Sequence, residues 1–243
     1  MWMEGSTSNA YRMWFQHMDI NRIPFYQYNT IIVGTGAAGL NAAVTLHKLG
    51  QKNIALITEG RYMGTSRNTG SDKQTYYKLT QCGSEPDSVR KMAETLFDGG
   101  CVDGDIAMAE AAGSLRAFYH LVDIGVPFPF NKSGEYVGYK TDHDPLKRGI
   151  SAGPLTSKYM TECLERQAEE RGIPFFDGYQ AVRLLTEEKN GEKWAAGIIA
   201  LNKRKAASAD ERYAVFSAVN IIWATGGEAG MYQASVYPVS QTG

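Results

Sequence analysis

The stretch Thr30–Gly39 constrains this chain more than any other. Thr30–Val33 is a short, β-branched apolar run. Gly34-Thr35-Gly36-Ala37-Ala38-Gly39 punctuates it, and Leu40, Ala43, Val44 and His47 then share one side of a helical pattern. Gly50 stops that helix, and Asn53–Ile57 reads as a second buried strand. A strand, helix and strand within about 30 residues is the span of a right-handed parallel crossover, so the chain is built around a parallel sheet. The glycine spacing, GxGxxG, has a physical meaning. The first glycine allows a tight turn, the second lets backbone approach a pyrophosphate, and the third lets the helix pack on the strand. The helix N-terminus, with its bare N–H groups and positive dipole end, then faces the phosphates.

Downstream, Thr58–Thr75 is a polar stretch with three glycines and many hydroxyls, too long for a simple connector. Glu85–Leu96 and Asp105–Ile124 carry helical patterns, the second stopped by Gly125. Pro154–Glu170 reads as a further amphipathic helix and Ile173–Phe176 as a short strand. The pattern then changes to Ala181–Leu185, an Asn190–Gly191 turn, Ala195–Leu201, a charged turn, Tyr213–Ser217 and Val219–Ala224, an antiparallel β-meander. The length, 243 residues, accommodates one large domain or two small ones, and one is the simpler reading. Residues 1–29, aromatic but without periodicity, read as an arm lying on the domain that spans 30–243. The expected fold is α/β: a Rossmann-like parallel sheet with an inserted antiparallel meander.

Glu59 lies about 20 residues beyond Gly39, at the end of the second strand, where a carboxylate accepts hydrogen bonds from the ribose of a dinucleotide. NAD and FAD both satisfy these first elements. Three later features favour FAD. The loop Gly64–Ser71 offers small residues and hydroxyls directly after the ribose acid. The meander is unexpected in a simple nicotinamide domain. Finally, the last strand ends in Ala224-Thr225-Gly226-Gly227, which brings bare backbone to the carboxyl edge of the sheet.

Composition removes other classes. A net charge of −1 supplies no positive field for nucleic acid or anionic lipid. No apolar run reaches the roughly 18–20 residues that cross a bilayer, and no secretory leader is visible, so a cytoplasmic setting is expected. Cys82, Cys101 and Cys163 are odd in number and lack CxxC pairing, which points to plain buried thiols. His17, His47, His120 and His143 show no metal-ligand spacing, and no metal is expected. Asp142-His143-Asp144 reads as a solvated loop rather than an acid–base cluster.

Taken in order, the glycine turn, Glu59, Ser66-Arg67-Asn68-Thr69, Asp123-Ile124-Gly125-Val126-Pro127-Phe128, Phe175–Ala181 and Ala224-Thr225-Gly226-Gly227 resemble the flavoproteins of the fumarate reductase, succinate dehydrogenase and L-aspartate oxidase type. The likeness runs from about Thr30 to Gly243 and implies the glutathione-reductase-type FAD-binding fold. It implies cofactor contacts at Gly34, Gly36, Ala37, Ala38, Gly39, Glu59 and Gly60. Thr65, Ser66, Asn68, Thr69 and Ser71 would lie along the pyrophosphate and isoalloxazine, Ala181 would hold adenine through its backbone, and Ala224, Thr225 and Gly226 would close the site.

Two departures from the family matter. Asn68 stands where membrane-bound members carry the histidine that links covalently to flavin, so FAD is expected to be non-covalent. Lys73-Gln74-Thr75 replaces a pair of glycines near the flavin, with Lys73 either meeting reduced flavin or lying on the surface. The family also continues beyond the region matching Gln241-Thr242-Gly243 into a capping domain with an arginine proton donor and a return segment, so this chain reads as the amino-terminal portion of a flavoenzyme. The resemblance implies oxidoreduction of a carbon–carbon bond next to a carboxylate, on a small carboxylate substrate and with an electron-transfer partner; without a covalent flavin link, reduction of an unsaturated acid is the favoured direction. The alternatives are a catalytically silent FAD-binding module and, behind it, an NAD-dependent dehydrogenase. No residue is assigned a catalytic role.

Overall fold

The computed structural model describes residues 22–70, 74–82, 85–142, 144–204, 209–235 and 237. In chain order the elements are β1 (Phe25–Val33), α1 (Ala37–Lys48), β2 (Ile54–Thr58), α2 (Thr65–Asn68), β3 (Tyr76–Tyr77), α3 (Val89–Asp98), α4 (Gly104–Asp123), β4 (Gly149–Ile150), α5 (Thr156–Glu170), β5 (Phe175–Asp177), β6 (Tyr179–Lys189), β7 (Glu192–Asn202), α6 (Ala209–Arg212) and β8 (Tyr213–Trp223). Where the sequence reads as one domain, the described residues divide into two compact units, one running to Asn68 and resuming at Leu164, the other Thr69–Cys163.

The first unit is a six-stranded sheet in the order β5-β2-β1-β8-β7-β6. Strands β5, β2, β1 and β8 are mutually parallel, with Ile31 opposite both Ala55 and Ile221. Strands β6 and β7 continue the sheet antiparallel. All five residues of β2 are buried, as a parallel strand covered on both faces requires. The Ile31, Val33, Ile57, Ile198 and Phe216 side chains form one core cluster. Helix α1 forms because its sequence is rich in alanine and leucine, buries Leu40, Ala43 and Val44, and ends in His47 and Lys48 where the helix dipole favours positive charge.

Three sequence expectations change here. Strand β1 begins at Phe25, not Thr30, because Tyr26 alternates onto the core face, stacks on Phe216 at 5.0 Å and meets Phe176 edge-on at 4.7 Å. Residues 25–29 of the expected arm are therefore sheet, and 1–21 lie outside the described residues. The antiparallel meander is present as β6, β7 and β8, but Tyr213–Ser217 and Val219–Trp223 are one strand, β8, which closes the meander against β7 and is itself a parallel partner of β1. The polar loop carries a single helical turn, α2.

The second unit packs α3 against α4 around Met92, Ala93, Ala107 and Ala111. Ser88 accepts from the Lys91 N–H at the start of α3, which is why this helix begins beyond Pro86 rather than at Glu85. Asp103 caps α4 in the same way, accepting from Asp105 and Ile106. Asp144, expected in a solvated loop, is 7% exposed. It accepts from the Leu146 N–H and lies 3.4 Å from the buried Arg148. His143 lies outside the described residues. Among the cysteines only Cys163 is fully buried; Cys82 is half-buried and Cys101 exposed, contrary to the expectation of three buried thiols.

Candidate functional site

The turn between β1 and α1 is held from both sides. The Gly34 N–H donates to Ile57 O at 2.8 Å, and the Ala224 N–H donates to Val33 O at 2.8 Å. Gly34 sits at φ +109°, and a Cβ there would stand 2.3 Å from Ala224 O. A Cβ on Gly39 would stand 2.1 Å from Gly34 O, so this glycine lets α1 press on the turn behind the site. Gly36 differs: a Cβ there would meet only Ser66 Oγ, at 3.4 Å. The space beyond Gly36 is the cleft itself. Thr35 Oγ1 donates to Thr58 Oγ1 at 3.0 Å, a buried bond that ties the turn to the end of β2.

Helix α1 opens onto this cleft without a side-chain cap from Gly36. Its Ala37 N–H is met by Ser66 Oγ at 3.3 Å, while the N–H of Ala38 has no acceptor among the described residues. Uncompensated N–H groups at the positive end of a helix are an anion site. The cleft has a volume of about 480 Å³ and lies at the carboxyl edge of β1, β2 and β8. Glu59 and Gly60 line it after β2, Ala181 lines it from β6, and Ala224, Thr225 and Gly226 line it after β8.

The structure thus brings together, from the expected set, Gly34, Gly36, Ala37, Ala38, Glu59, Gly60, Thr65, Ser66, Ala181 and Ala224–Gly226. Gly39 sits behind the turn rather than on the cleft. Asn68 does not line it either, because its Nδ2 donates to Tyr62 O at 2.8 Å and Gly64 O at 3.1 Å, which folds the side chain back onto its own loop. Thr69 belongs to the second unit. Ser71 and Lys73 lie outside the described residues. Sequence reasoning missed Met63, Tyr179 and Trp223, which also line the cleft. Trp223 had a signal, as the last residue before Ala224, but it reads there as an ordinary buried strand residue; it is 51% exposed.

An ionic frame surrounds the Glu59 wall of the cleft. Lys203 Nζ donates to Glu59 Oε1. Asp177, at the end of β5, accepts the Arg61 N–H on Oδ1 at 2.9 Å and Arg204 Nη2 on Oδ2 at 2.6 Å. The Arg61 guanidinium lies over the Phe175 ring at 4.1 Å and donates to Glu165 and Glu169, and Arg67 donates to Glu165 as well. Burial works against the Arg61 charge, but the two glutamates outweigh it and raise its pKa, so Arg61 stays charged and ties the loop Glu59–Asn68 to α5.

These residues fit a dinucleotide with a flavin. A helix N-terminus with spare N–H groups, a glycine whose missing Cβ leaves room for phosphate, and a carboxylate at the neighbouring strand end are the donor set that a pyrophosphate flanked by ribose needs. Among the described residues no helix is long and apolar enough to cross a membrane, and no group of His, Cys, Asp and Glu gathers as a metal site.

Comparison with known proteins agrees with this chemistry. The chain is 27% identical over 220 residues to an L-aspartate oxidase from Agrobacterium fabrum, covering 88% of this chain and 38% of that protein. It is 27% identical over 213 residues to the 8-methylmenaquinol:fumarate reductase flavoprotein subunit of Wolinella succinogenes, covering 86% of this chain and 33% of that one. Its fold resembles the solved structure of Mycobacterium smegmatis Sdh1 with a TM-score of 0.75 at 18% identity, over 89% of this chain and 36% of that one. The chain therefore spans well under half the length of the relatives it matches. Residues 29–243 match the FAD binding domain family, and with the glycine turn, the open helix end and Glu59 gathered on one cleft, the chain belongs to that family.

Proposed function

We propose that this chain is the cofactor-holding part of a flavin oxidoreductase that acts on a carbon–carbon bond next to a carboxylate. The observation that carries the reading is the open N-terminus of α1 facing the same cleft as Glu59. Bound there, FAD supplies a two-electron centre able to accept or donate hydride. The chain's own residues hold and orient it. The N–H groups of Gly36 and Ala38 bind phosphate oxygens, Glu59 accepts from ribose hydroxyls, and the Ala181 and Thr225–Gly226 backbones bound the remaining walls. Thr35 and Thr58 keep the turn and the carboxylate strand in register, so phosphate and ribose are read together.

FAD is held without a covalent bond. Asn68 offers a carboxamide in place of a nucleophilic ring nitrogen, and its Nδ2 is committed to two loop carbonyls. Acid precipitation of the purified yellow protein should leave free FAD in the supernatant, read by its absorption spectrum. Colour retained in the pellet would overturn this reading.

Reduction of an unsaturated acid is the favoured direction, since a flavin free of a covalent link keeps a lower potential and one relative is named for fumarate reduction. A small carboxylate substrate and a separate electron donor follow from that reading. Reduced viologen dye should be oxidised by fumarate-like acceptors in the presence of the complete enzyme to which this chain contributes the cofactor-holding part. Oxidation of an amine or a saturated acid without that activity would reverse the direction. Retained FAD with no turnover would mark a binding module instead.

A further inference from the structure

Lys203 sits on the turn after β7, 144 residues from Glu59 in sequence, yet its Nζ donates to Glu59 Oε1. The turn is fixed at two points to the junction of β5 and β6: the Lys203 N–H donates to Gly178 O at 2.8 Å, and Arg204 donates to Asp177. Asp177 in turn holds the Arg61 N–H, two residues beyond Glu59. One frame therefore sets the positions of both the carboxylate and the ammonium. Glu59 lines the cleft, and its second oxygen, Oε2, has no partner among the described residues.

A ribose presents two adjacent hydroxyls, each both donor and acceptor. A carboxylate can only accept, and an ammonium, with three donors and no acceptor, supplies the complement. One Lys203 N–H is used on Glu59, which leaves two. We propose that Lys203 is a second reader of the adenosine ribose, donating to the hydroxyl oxygens while Glu59 Oε2 accepts from them, and so a specificity-determining residue for a nucleotide with intact 2′ and 3′ hydroxyls. This rests on the cofactor reading above. The side chains of the pair are 47% and 36% exposed, so the ion pair contributes little to the fold and its removal reads on the ligand.

Calorimetric titration with ADP and 2′,3′-dideoxy-ADP tests this on the wild type, Lys203→Met and Lys203→Arg. In the wild type, loss of the hydroxyls should weaken binding about tenfold. Lys203→Met should weaken ADP about tenfold and shrink the hydroxyl penalty at least threefold, with Lys203→Arg recovering part of both. Equal weakening of the two ligands, no change, or tighter ADP in Lys203→Met would overturn the assignment. So would a wild type that binds FAD but ignores the missing hydroxyls. A wild type that binds no FAD would instead overturn the cofactor reading and this assignment with it.

Discussion

Gly36→Val should abolish FAD binding while the protein still folds. Gly36 has φ −74° and extended ψ, a conformation open to valine, and its missing Cβ faces only Ser66 Oγ at 3.4 Å. The added methyls enter the cleft where phosphate would approach the α1 N-terminus. Two lost charge-assisted bonds at about 1.5–3 kcal/mol each raise Kd more than about a hundredfold. The cost to the fold is confined to a weaker helix cap, about 1 kcal/mol, or a fall in Tm of about 2–4 °C. Gly39→Ala is the contrasting variant: its Cβ would fall 2.1 Å from Gly34 O, so the backbone itself must move. It should lower Tm substantially, by overpacking worth about 3 kcal/mol or more. Flavin fluorescence titration and thermal unfolding separate the two effects. A Gly36→Val protein that binds FAD within threefold of the wild type would remove the turn from the binding site.

What the sequence discloses follows how local the physics is. The glycine turn, α1 and β2 are legible because their signals lie within 30 residues and each is a backbone requirement: a left-handed glycine, an apolar helix stripe, a buried β-branched run. Glu59 is legible for the same reason, through its distance from the turn. Strand β1 was harder, since Tyr26, Gln27 and Tyr28 carry no apolar run, and only packing on Phe176 and Phe216, about 150 and 190 residues away, makes Tyr26 a core residue. The unity of β8 was hidden because its first half, Tyr213–Ser217, answers to β7 while Val215–Trp223 answers to β1. Lys203 and Glu165 gave no sign of a role beside the site, and Asp177 entered only as part of the Phe175–Ala181 likeness. Each acquires it from a partner more than 95 residues distant, through hydrogen bonds that no periodicity encodes.

Arg148→Met should cost the second unit about 3–5 kcal/mol. Arg148 and Asp87 have side chains each 1% exposed and are joined by two bonds, from Nε at 2.9 Å and Nη2 at 2.7 Å. Nη1 also donates to Thr95 Oγ1 at 2.9 Å and Tyr77 Oη at 3.1 Å, so one guanidinium links α3 to the antiparallel β3–β4 pair. Methionine fills the space but leaves Asp87 and Asp144 without their cation. The pH dependence has a definite sign. Burial alone would raise the Asp87 carboxyl, but Arg148 and the Thr80 and Ser88 N–H groups outweigh it and hold it below 3.8. In the wild type the stabilisation is therefore complete above about pH 4 and is lost as pH falls through the depressed value. Without Arg148 burial dominates, the folded carboxyl rises, and acid relieves the buried charge. The deficit of Arg148→Met should thus be largest near neutrality and narrow toward pH 4. Amide hydrogen exchange in α3 and α4 measures both, and Arg148→Met/Asp87→Leu should recover much of the loss because the bidentate pair is then absent from both sides. Parallel pH profiles less than about 1 kcal/mol apart would show that the pair is solvated like a surface bridge rather than buried.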